Sequence, residues 1–135
     1  MRGASALQPL LDALPDANVR TFVVWEPVIW SDIAPPTSSV LALLRDPRAA
    51  QYWDAKRSLS RDIVRSVNQD PRRYGFDEPL HEGFVVWDVV AVFEPGVVWG
   101  QDLPVPAFYD GPVMYRVDRI SQAVATAGRL QEAAP

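Results

Sequence analysis

The chain contains no cysteine. Disulfides, thiolate nucleophiles, iron–sulfur clusters and cysteine-bound zinc are therefore excluded. Histidine is nearly as scarce: His81 is the only one, which removes any multi-histidine metal site. A carboxylate site for a hard cation is left, but no calcium-loop motif accompanies the acids. No metal and no cofactor is expected. Lysine is represented by Lys56 alone among thirteen basic residues, an arginine bias that reads as codon usage in a GC-rich genome. Positive charge is in deficit, with a net charge of −4, which argues against general nucleic-acid binding. No apolar run is long enough to span a bilayer. The first residues lack the apolar core of a signal peptide. The compartment stays open, with a soluble cytoplasmic setting favoured over a periplasmic one.

What is present fits one domain over residues 1–135, long enough to bury a core without covalent staples. Its most informative feature is a near-repeat. Phe22-Val23-Val24-Trp25-Glu26-Pro27-Val28 is echoed by Phe84-Val85-Val86-Trp87-Asp88-Val89-Val90. Both copies gather aromatic and β-branched residues without alternation, as in strands covered on both faces. Each carries a carboxylate just after its tryptophan.

Other elements follow from spacing. Leu7, Leu10, Leu11 and Leu14 mark one helix face, after a frayed tail over 1–6. A first strand is predicted over 19–25, ended by Pro27. A Pro-bounded loop fills 26–37, and a short helix follows, capped by Thr37 or Ser38. Asp46-Pro47 reads as the start of a longer helix running to about Val67. Residues 68–83 form a polar connection. The second strand is predicted over 84–93. A hairpin is predicted within 104–117, turning at Asp110-Gly111. The last helix covers 118–127, stopped by Gly128, and 129–135 trail. The two Val-Val-Trp strands, joined by a helical crossover, are expected to be parallel neighbours.

That order, with tryptophan closing the first strand, resembles the thioredoxin-like superfamily over about residues 19–128. Phe22 to Trp25 resembles the strand that leads into the family's redox loop. The four positions of its Cys-x-x-Cys motif then fall on Ile29-Trp30-Ser31-Asp32. Pro106 before Ala107-Phe108-Tyr109-Asp110-Gly111 resembles the family's cis-proline, strand and glycine turn. The resemblance implies an α/β fold. Its central mixed sheet would have about four strands, two parallel plus an antiparallel hairpin, flanked by helices. It also implies a groove between the 29–32 loop and a cis Val105–Pro106 bond, of the kind that receives extended peptides. Both thiol positions are occupied by Ile29 and Asp32, so dithiol exchange cannot occur. The family's buried acid is also missing, since Val23 and Val24 fill that stretch.

The preferred expectation is a non-redox module binding a protein or peptide through Val28, Ile29, Trp30, Asp32, Val105 and Pro106. Ile29 and Trp30 would supply apolar area, and Glu26 and Asp32 polarity. A rival is a small-molecule enzyme using Glu26, Asp32 or Asp88 as acid or base, since parallel-sheet folds place ligand sites at strand ends. The blander reading leaves these acids solvated or bonded to backbone. A third reading is a homo-oligomer subunit with the apolar loop as its interface. Ser31, Asp32 and His81 suggest a hydrolytic triad only superficially, with no nucleophile-elbow motif. Arg57, Arg61 and Arg65 recur one turn apart and read as a solvated helix face or an anion-binding stripe.

Overall fold

A computed structural model describes residues 2–15 and 17–132. In chain order the elements are α1 (Arg2–Asp12), β1 (Thr21–Trp25), α2 (Ser38–Leu41), β2 (Ala49–Trp53), α3 (Ser58–Gln69), β3 (Val90–Val92), β4 (Phe108–Asp110) and α4 (Val117–Glu132), with 3-10 turns at Pro71–Tyr74 and Val113–Tyr115. The class is α/β. The strands form two separate pairs, β1–β2 and β3–β4, and not the single central sheet expected.

The first correction concerns the partner of β1. It pairs in parallel with β2, from Thr21 opposite Ala49 to Trp25 opposite Trp53. Residues 49–53 fall inside the long helix that Asp46-Pro47 predicts. Tertiary bonds decide otherwise. Gln51 Oε1 accepts from Trp25 Nε1 (3.1 Å), while its Nε2 donates to the carbonyls of Leu41 and Leu44. Asp46 does not start a helix. Its carboxylate accepts from Arg48 N and pairs with the Arg48 guanidinium, and the helix begins only at Ser58.

The second copy of the repeat is the second correction. Residues 84–87 join no strand, and Asp88 adopts a left-handed conformation (φ 52°) that ends the run. Only Val90–Val92 joins a sheet, antiparallel to Phe108–Asp110. The hairpin predicted to turn at Asp110-Gly111 does not form: Phe108–Asp110 pairs back onto Val90–Val92, and Val113–Tyr115 is a 3-10 turn. The chain turns after Asp110 into a cis Gly111–Pro112 bond and a 3-10 turn. Gly111 sits so close to Val89 and the Asp88 carbonyl that a Cβ would lie 2.7 Å from that oxygen. Helices also run further than expected. Residues 2–6 belong to α1, and α4 passes through Gly128 to Glu132; residues 133–135 lie outside the described region.

Both strand pairs share one core. Leu10 and Leu11 of α1, Ile120 of α4, Leu44 and Val113 are buried together, with Val23, Ala49, Val90 and Phe108 packed against them. The apolar spacing in α1 and α4 thus reaches one face of each pair. At the C-terminal end of α1, Arg48 donates to the carbonyls of Leu11 (2.7 Å), Leu14 (2.5 Å) and Ala17 (3.3 Å). A cation at that end satisfies carbonyls that the helix leaves open. The opposite face of β1–β2 is not covered as the sequence implied: Phe22 is 65% exposed and stacks on Tyr52.

Candidate functional site

The loop that leaves β1 is built around two carboxylates and an arginine. Trp25 O accepts from Asp54 N (2.8 Å), which carries the ladder one step beyond β2 and sets the 54–57 turn beside the loop. Arg57, left-handed at φ 55°, sends its Nε to Pro27 O at 2.6 Å. Asp32 folds back on the loop. Its Oδ2 accepts from Val28 N and Ile29 N, each at 3.0 Å, and Asp32 N donates to Ile29 O. These two N–H groups, with the nearby Arg57 charge, hold the Asp32 carboxyl below the usual carboxylate range. The Asp32 side chain is therefore the clasp of a tight turn.

That turn displays apolar residues outward. Trp30 is 91% exposed and Ile33 is 87% exposed, with Ile29 beside them. Sequence reasoning named Val28, Ile29 and Trp30 but passed over Ile33. A β-branched residue just before Ala34-Pro35-Pro36 was the available signal, because Pro-bounded segments cannot fold back into a ladder.

The remaining acids are engaged in structure. Both Glu26 oxygens reach the start of α3, accepting from Ser60 N (3.0 Å) and Ser60 Oγ. Ser60 is 1% exposed, and its Oγ also accepts from Val86 N at 2.9 Å. One hydroxyl thus joins the end of β1, the first turn of α3 and the second copy of the repeat. Asp54 also serves this helix end, accepting from Leu59 N (2.9 Å) and Lys56 N. Burial pushes the Asp54 carboxyl up, but the N–H groups of Leu59, Lys56 and Ser58 outweigh it and leave it lowered. Carboxylates are favoured at this position because the first helical N–H groups lack intrahelical partners. Asp88 is directed elsewhere: its Oδ1 lies against Gly3 in the first turn of α1. It lines an open depression of about 340 Å³ with Trp87, Tyr109 and Pro112, and Glu26 is not part of it. The strand-end acids do not converge.

The expected groove at Val105 and Pro106 lacks its cis bond. Among the described residues the cis bond is Gly111–Pro112, so Val105–Pro106 is trans, which corrects the expected geometry. The segment before them is anchored toward the far half of α3: Leu103 N donates to Ser66 Oγ (2.9 Å) and Arg65 to Gln101 O (2.8 Å). Glu26 is anchored at Ser60, six residues earlier and so about 9 Å along the helix. His81 Nδ1 lies 3.0 Å from Glu82 O and its ring packs edge-on against Phe84, so Ser31, Asp32 and His81 form no relay. Of the arginine stripe, Arg65 pairs with Asp62 while Arg61 meets the Ser58 hydroxyl.

Comparison with known protein families, curated proteins and solved structures finds no match. Among the described residues, no group of three or more His, Asp or Glu is placed to hold a metal ion. No described helix is long and apolar enough to cross a membrane.

Proposed function

We propose that the chain is a non-redox binding module that contacts a protein or peptide through loop 28–33. The observation that carries this reading is the combination at Trp30: a tryptophan 91% exposed on a turn that Asp32 clasps to its own backbone. Exposed aromatic and aliphatic side chains on a preorganised loop bind with little ordering cost. Ile29, Trp30 and Ile33 supply the apolar contact, and Asp32 and Arg57 hold its shape. The expected cis bond at Val105–Pro106 is absent, and the proposal does not rest on these two residues. A thioredoxin-like relationship belongs to the same reading. It is supported by the element order from β1 to α4, and the separation of the strand pairs is its departure. No reaction is assigned, since Glu26 and Asp32 bond to local structure and Asp88 lies apart from both.

Selection of displayed random peptides on the purified protein tests the proposal. Enriched peptides are expected to lose at least about tenfold in affinity for Trp30→Ala, while the stability of that variant stays within about 0.5 kcal/mol of the parent, as for other exposed positions. Enriched peptides that bind the variant equally well, or no enrichment at all, would sink it.

A further inference from the structure

We infer that the depression beside Asp88 is a binding site for a small organic cation, an ammonium or methylated ammonium group. It is built on β4 and the residues before β3, and no residue of loop 28–33 belongs to it. Trp87, Asp88, Val89, Tyr109, Gly111 and Pro112 line it, around a volume of about 340 Å³. Asp88 is the only charged residue of the six. Its carboxylate is partly buried, yet it has neither a hydrogen bond nor an ion pair among the described residues. Gly3 backs it on the α1 side and, lacking a side chain, brings no counter-charge. Arg116 and Arg119 both pair with Asp110 and are not part of the lining.

The rest of the lining suits a cation. Trp87 is 63% exposed and Tyr109 43% exposed. The Tyr109 ring packs against Phe76, centroids 6.3 Å apart, which holds it in place. Aromatic rings attract an ammonium group through their electron-rich faces. A carboxylate left unpaired in partly apolar surroundings is costly, and an incoming cation relieves that cost. The backbone is fixed in advance. Asp88 O accepts from Val113 N (3.1 Å), and Gly111 packs too tightly on Asp88 and Val89 for a side chain to fit between them. Asp88 is also held at φ 52°, and such outliers gather at ligand sites. An anion would be repelled here. A neutral apolar ligand would leave the carboxylate desolvated and still unpaired.

The test titrates choline, and separately its neutral tert-butyl isostere, into the isotope-labelled full chain, read by amide shifts at Trp87, Asp88 and Tyr109. Choline is expected to bind about tenfold tighter than the isostere, from its charge and its contact with the rings. Asp88→Asn should weaken choline about fivefold. Asparagine accepts a left-handed backbone as aspartate does, so this variant keeps the fold and removes the charge. Trp87→Ala should weaken choline by about the same factor. A peptide carrying trimethyllysine separates two sources of the cation. A peptide about tenfold tighter than choline assigns it to a polypeptide side chain, and equal affinity assigns it to a free small molecule. Equal binding of choline and its isostere, undiminished choline binding by Asp88→Asn, or no shift at these amides with any of the cations would overturn the site. The contact loop is scored separately, by Trp30→Ala, so neither reading decides the other.

Discussion

Residues 22–25 form a laddered strand, whereas residues 84–87, with the same Phe-Val-Val-Trp sequence, pair with no strand. Their neighbours make the difference. The first copy lies beside β2 and runs into Glu26, which anchors it to α3. The second copy runs into Asp88, whose left-handed backbone turns the chain before a ladder can extend. β-propensity is therefore fulfilled only where a partner edge and a compatible continuation are both supplied.

The strongest way to break this comparison is Ser60→Ala. The hydroxyl is buried, donates to Glu26 and accepts from Val86 N. Removing it strands polar groups on both copies at once. We expect a loss of about 2–3 kcal/mol in urea-unfolding stability, in the range for buried unsatisfied groups and charged acceptors. A loss below about 0.5 kcal/mol would mean that the hydroxyl does not join the two segments.

How much of this was legible in the sequence follows from the same contrast. β1 and the buried faces of α1 and α4 are written in local pattern. Leu10, Leu11 and Ile120 are buried as their spacing implied. β2 was not legible, because Ala49, Ala50 and Gln51 become a strand only through the bonds of the Gln51 amide to distant carbonyls. The end of the second copy was not legible either, because nothing in Trp87-Asp88-Val89 reveals a positive φ. At the candidate loop, prolines and a displaced tryptophan pointed outward. The inward role of Asp32 needed coordinates, since a carboxylate in a loop looks the same whether it clasps backbone or meets solvent.

A smaller effect is expected from Asp88→Val, which sharpens the contrast by giving the second copy a β-branched residue there. At φ 52° such a side chain meets its own backbone, and the cost should be about 1–2 kcal/mol. Circular dichroism and urea titration would measure it. A more stable variant, with gained strand signal, would show that only this residue keeps 84–87 out of a sheet.

The smallest effect concerns the partner that the first copy has and the second lacks. Asp46, just before β2, is held at a pKa of about 2 against an ordinary 3.8, first by the Arg48 side chain and then by the Arg48 N–H. A lowered folded-state pKa means that its contribution is complete above pH 3.8 and fades as pH falls toward 2. Asp46→Asn should therefore be less stable than the parent at neutral pH. Its stability should also decline less steeply through that acid window, as thermal melts at stepped pH would read. Parallel pH profiles for the two proteins would refute the assignment.

The hydroxyl of Ser60 has one more consequence, for how the fold opens. Because it both donates to Glu26 and accepts from Val86 N, opening the first turn of α3 releases both segments at once. The Val86 amide should then exchange its hydrogen at the same slow rate as the first turn of α3, so that a stretch outside any sheet keeps time with a helix.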